Sequence, residues 1–148
     1  MANHIRHQIR EALATQITGL TTTGSRVFQS RFYNIDSGEL PAAIVYTKSE
    51  NSEPATIGSN RVLDRTLSLV VEIYVSATAN ADDTADTICK EIETAIAADN
   101  TISGLAKDCY IESTELDLNG EGERPVIVGV LTFNVNYHTR EQSPDSAL

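Results

Sequence analysis

The sequence predicts an α+β fold: a mostly antiparallel or mixed sheet of about five strands with two helices packed on one face, in the order α-β-β-β-α-β-β. Three observations predict it. Two separated stretches carry apolar residues at helical spacing, five carry the alternation or composition of strands, and the turn-forming residues fall between these stretches rather than inside them.

The first helix follows from Ile5, Ile9, Ala12, Leu13 and Ile17, an apolar stripe with Arg6, His7, Arg10 and Glu11 on the opposite side. Asn3 is the candidate N-cap. Gly19, Thr21, Thr22, Thr23 and Gly24 end this helix in a flexible connection. Residues 25–33 are rich in aromatic and β-favouring types, and Leu40-Pro41 leads into a second strand at 42–47. Between them, residues 34–38 have the composition of a turn that Gly38 can close with positive φ.

Residues 49–60 are polar and contain Pro54 and Gly58, which predicts a long exposed loop of the kind that often carries function. The strongest strand signal comes next. Arg61, Leu63, Arg65, Leu67, Leu69, Val71, Ile73 and Val75 alternate with Asp64, Thr66, Ser68 and Glu72. Asn80 then stands at the cap of a second helix, with Asp82, Asp83 and Asp86 at the positive end of its dipole. The buried stripe of that helix is Ala81, Ala85, Ile88, Cys89, Ile92, Ala95 and Ile96, with Lys90, Glu91 and Glu93 outward. Residues 110–118 and 125–137 form a hairpin around the turn 119–123, placing Leu116 and Leu118 toward the core and Glu115 and Asp117 toward water. One domain over 1–139 and a flexible polar tail over 140–148 complete the expectation.

With 41% hydrophobic and 22% charged residues the 148-residue chain has the composition of a globular protein large enough to bury a core. The net charge of −10 argues against a continuous basic surface for DNA. It is also unevenly spread. Residues 1–48 hold Arg6, Arg10, Arg26, Arg31 and Lys48 against Glu11, Asp36 and Glu39, whereas the other hundred hold six basic side chains against eighteen acids. Such polarity can select which face of a self-associating protein meets which neighbour. No apolar run approaches the ~20 residues of a membrane-spanning helix. The start lacks the apolar core of a secretory signal, so the expectation is a protein folded in a cytoplasm and without a membrane partner.

No spacing points to catalysis or to a cofactor. Cys89 and Cys109 have no Cys-x-x-Cys partner and are expected as buried small hydrophobes. Glu115, Asp117, Asn119 and Gly120 match the first ligand positions of a calcium loop, but Val126 stands where a bidentate Glu is required, so a plain hairpin turn fits better. His4 and His7 have a spacing that can share a metal, yet no third ligand lies near them. There is no nucleophile elbow and no phosphate-cradling glycine loop. The candidate functional residues are therefore interface residues. Arg61 and Arg65 are placed to meet a carboxylate on a neighbouring subunit, against the plainer reading of a strand end with wet charges, and Glu121 and Glu123 occupy the hairpin tip 119–124.

Over residues 1–139 the chain resembles the phage tail terminator, or minor tail protein U, family of long-tailed bacteriophages. The resemblance lies in the opening helix around Ile5-Arg6-His7-Gln8-Ile9-Arg10, the Leu40-Pro41-Ala42 entry into a strand ending Val45-Tyr46-Thr47, and the strand Leu67 to Tyr74 ahead of an acidic helix start. It implies a structural virion protein of the tail and neck. Such a protein forms a hexameric ring on the head-proximal end of the tail tube, stops its polymerisation and presents a surface to the head–tail connector or neck protein. The resemblance implies no active site and no cofactor, and DNA that passes through the ring without specific binding. The acid excess after residue 48 suits such a lumen, since basic walls would hold phosphates. By analogy with strand-rich rings, the segments 49–60 and 119–124 are the expected contacts to tube or neighbour. The competing reading is an acidic dimeric secretion-type chaperone or other protein-binding module. Such chaperones add a C-terminal helix, which the polar residues 139–148 with Pro144 do not favour.

Overall fold

The structure, a computed structural model, describes residues 2–29, 40–76, 80–119 and 126–148. Its elements are α1 (Ile5–Gln16), β1 (Val27–Phe28), β2 (Ala42–Pro54), β3 (Val62–Ser76), α2 (Ala81–Ala98), β4 (Asp108–Asn119) and β5 (Val126–Arg140). They occur in the predicted order. The five strands form one sheet ordered β1-β2-β3-β5-β4, with β1 parallel to β2 and every other neighbour antiparallel. The class is α+β with a mixed sheet, and both helices pack on the same face.

That face holds the main core. Ile5, Ile9 and Leu13 of α1 and Ile88, Ile92 and Ile96 of α2 meet Leu67, Leu69, Val71 and Ile73 of β3 and Leu131, Phe133, Val135 and Tyr137 of β5. Each fully buried Leu, Ile or Phe contributes about 1.5–3 kcal/mol, so this layer is the main driving force for the fold. The helix-free face has a smaller cluster, Ile44, Tyr46 and Val70, flanked by Phe28, Tyr74 and Val130.

Several local expectations change. The helix starts one residue later than an Asn3 cap would require. His4 takes the cap position, its Nδ1 accepting the Arg6 N–H at 3.0 Å, because a ring nitrogen's lone pair serves the open N–H as a side-chain oxygen would. Asn80 caps α2 by position, but its side chain makes no capping bond. The connection after α1 is tied down. Gly19 and Gly24 bond across it, and Glu91, expected to face solvent, accepts both the Thr22 N–H at 2.9 Å and the Thr22 hydroxyl at 2.6 Å.

The largest difference lies at 49–60. Residues 49–54 continue β2, paired with β3 as far as Pro54 and Leu63, so the loop shrinks to a turn between them. From Asn51 to Pro54 the segment is polar because this end of the hairpin extends past the core, where both faces of the strand are exposed. Residues 140–148, expected as a flexible tail, turn back onto α1. Pro144 O accepts the Ile5 N–H at 2.8 Å and Asp145 O accepts from Gln8 Nε2 at 3.2 Å. Of the strand expected at 25–33, only Val27–Phe28 is strand among the described residues 25–29, and 30–33, like the turns at 34–38 and 120–123, lie outside the described residues.

Candidate assembly surfaces

Two one-residue bulges decide which side chains reach each surface. In β2, Thr47 pairs with Leu69 and Ser49 with Ser68, leaving Lys48 unpaired. Ahead of the bulge Ala43 and Val45 face the helices; beyond it the phase shifts by one, and Glu50, opposite Leu67, turns to that same face. Glu50 there receives Arg6 Nη1 at 2.7 Å, Arg65 Nη1 at 3.2 Å and the Tyr137 hydroxyl. Its side chain is 9% exposed and that of Arg65 11%. Arg65 also donates from Nε to Thr139 Oγ1 at 2.9 Å. Burial and the bond to Glu50 push the Tyr137 hydroxyl far above its ordinary pKa, so it stays a donor.

The carboxylate that sequence reasoning assigns to a neighbour of Arg65 is thus supplied by Glu50 of the same chain. Arg61 sits half exposed at the base of the β2–β3 hairpin, with Nε on Glu141 Oε1 at 2.8 Å. Glu121 and Glu123 lie outside the described residues. Sequence reasoning missed Glu50 and Tyr137. An acid in a polar segment carries no mark of burial, and the bulge that buries it has no residue signature.

The tip of the β2–β3 hairpin is fully in water, with Ile57 entirely exposed. The turn is held by Ala55 N–H on Val62 O at 2.8 Å and Val62 N–H on Thr56 Oγ1 at 2.8 Å. Its base is clamped from the segment after β5, since Asn60 Oδ1 accepts the Gln142 N–H at 2.9 Å. A hairpin whose tip exposes Ile57 can dock on a partner without disturbing the core.

At the other end of the sheet, β4 is an edge strand. A second bulge, at Glu112 between Ile111 and Ser113, shifts its phase in the same manner. Cys109 and Ile111 face the helices ahead of it and Leu116 faces that way beyond it, yet Leu116 is 44% exposed rather than in the core. Tyr110 is 53% exposed, and a shallow cleft of about 280 Å³ opens beside it, floored by Ile96, Ile111 and Phe133. Glu112, Glu115 and Asp117 are exposed along this strand.

The groups that could do covalent chemistry are poorly placed for it. Burial pushes the Cys89 thiol up to about 11 and the Cys109 thiol up to about 12, far from a reactive thiolate at neutral pH. His7 is engaged with Glu11 at 2.7 Å and His138 lies 3.5 Å from Asp64. His4 is committed to its cap, and among the described residues no group of three metal-ligating side chains converges. Among the same residues no helix is long and apolar enough to cross a membrane.

Comparison with known proteins places the chain among the structural proteins of bacteriophage tails, and so in the virion. It belongs to the family of phage minor tail protein U, whose sequence model matches residues 2–137. Among solved structures it is similar to a chain of the virion of a native gene transfer agent particle, at 14% identity over 90% of this chain and 92% of that one, with a TM-score of 0.43. None of the curated proteins matches it.

Proposed function

We propose that the protein is a tail terminator: a ring, of six copies, that caps the head-proximal end of the tail tube, ends its growth and offers the joining surface to the head–tail connector or neck protein. The observation that carries this reading is the family match over nearly the whole chain. The surfaces agree with it. A sheet with an open β4 edge and a projecting hairpin has places to meet both neighbours in a ring and a partner above or below.

In this reading the hairpin tip around Ile57 and the tip 119–124, with Glu121 and Glu123, contact tube or connector. Arg61 stands at the base of the first tip, and Arg65 holds that hairpin in place through Glu50 rather than touching a partner. DNA passes through the ring without specific binding, in keeping with the net charge of −10. The protein needs no cofactor and acts without catalysis.

The test is to mix purified protein with growing tail tubes and image them by negative stain. The reading expects a ring at one end of each tube and arrest of further growth. Tubes that keep lengthening with no density at either end would contradict it.

A further inference from the structure

Among the described residues, the stretch of the β1/β2 edge up to Lys48 and the β4 edge carry opposite charge with no ion-pair partner in the same chain, the exposed Glu53 lying further along β2 toward the hairpin tip. On the β1/β2 edge, Lys48 is exposed at the bulge, and Arg26 directs Nε at Pro41 O (2.8 Å) and Nη2 at Thr22 O (3.0 Å), carbonyls that leave its charge unneutralised. Arg10 lies one turn past Arg6 on the flank of α1 that meets Glu50 of β2. Its Nη2 reaches His7 Nδ1 at 3.2 Å, and its Nε is buried with no hydrogen-bond partner. A buried donor without an acceptor is costly, and among the described residues none accepts from it. Glu50 is already occupied by Arg6 and Arg65, and Glu11 by His7.

On the β4 edge the balance is reversed. Glu112, Glu115 and Asp117 line the strand in solvent, and among the described residues none of them has a cationic partner. Lys107 stands just before the first residue of this strand. The apolar cleft and Tyr110 lie on the same edge and supply surface to bury.

We propose that the β1/β2 edge of one copy docks against the β4 edge of the next, with Arg10, Arg26 and Lys48 of one facing Glu112, Glu115 and Asp117 of the other. The occupant is a second copy of this chain, because the cations Arg10, Arg26 and Lys48 on one edge complement the unpaired acids of the other. The two patches differ, so the contact is head-to-tail, and a head-to-tail contact closes into a ring where an isologous one stops at a dimer. This inference rests on the ring reading and assigns its subunit interface.

The test uses two charge-reversed forms of the full chain. One carries Arg10→Glu and Lys48→Glu, with Lys48→Glu alone kept as a milder variant, and the other carries Glu115→Lys and Asp117→Lys. Circular dichroism checks that each folds, and native mass spectrometry with and without tail tubes reads assembly. Each form alone is expected to need at least about tenfold more protein than the wild type to assemble. A 1:1 mixture is expected to recover the wild-type mass, because reversed edges match each other and unaltered edges match each other in an alternating ring. Folded variants that assemble like the wild type, or a mixture that fails to recover, would overturn this interface while leaving the ring intact. A wild type that stays monomeric and is not recruited by tubes would overturn both.

Discussion

In the β2–β3 hairpin the extra residue is Lys48, and beyond it Glu50 turns under α1, where two guanidiniums and a tyrosine hydroxyl meet it. In the β4–β5 hairpin the extra residue is Glu112, and beyond it Leu116 turns to the same face but stays 44% exposed. A bulge therefore fixes the face of a side chain, and the neighbouring elements decide its environment. At the first hairpin the start of α1 and the end of β5 enclose the redirected carboxylate. At the second, the redirected leucine is left at a surface that a partner can cover.

The comparison predicts unequal responses to substitution. Glu50→Ala leaves the nearly buried Arg65 and the buried Tyr137 hydroxyl without an acceptor, and chemical denaturation is expected to show a loss of about 3–5 kcal/mol. A loss below ~1 kcal/mol, the range of exposed pairs, would mean that the cluster is solvated and that the bulge at Lys48 does not bury it.

Gly129→Ala comes next. A Cβ there would lie 2.7 Å from Ile73 Cγ1 and 2.8 Å from Leu116 Cδ2. Leu116 can swing out, but Ile73 is fully buried, so the expected cost is about 1–3 kcal/mol of overpacking. Leu116→Ala added to Gly129→Ala sharpens the point, since it should recover only the part of the cost that Leu116 causes.

His4 gives a smaller, pH-dependent effect. Burial, then the charges of Arg6 and Arg65, hold its imidazole below the ordinary value of 6.5, so the folded state disfavours the proton. The stability it contributes is present above pH 6.5 and is lost as the pH falls from there through the lowered folded value. His4→Asn should keep the cap to within about 1 kcal/mol at neutral pH and flatten the pH dependence of melting in that window. An unchanged slope would show that His4 is not the responsible group.

The smallest folding effect is expected on the open edge. Glu115→Gln should change stability by no more than about 0.5 kcal/mol, because exposed side chains away from special features contribute little. Its consequence should instead appear in assembly.

These differences follow what the sequence could show. Hydrophobic periodicity is a local signal, so the stripes of Ile5, Ile9 and Leu13, of Ile88, Ile92 and Ile96, and of Leu67 to Val75 predict both helices, the long central strand and the face each buries. Bulges at Lys48 and Glu112 break that alternation without a glycine or proline to mark them. The strand residues 49–54 therefore looked like loop, and Leu116 looked like core. Arg61 and Arg65 stood out because cations interrupt a row of leucines, but their partners, Glu141 and Glu50, are distant or hidden in polar stretches. The family was legible in the overall pattern because it depends on the order of elements and not on any one residue.

The terminator reading is tested most directly by the mass and image of the wild-type chain bound at the end of a tail tube. The account predicts a closed ring of six copies meeting β1/β2 edge to β4 edge. A stable dimer joined through identical surfaces would contradict it.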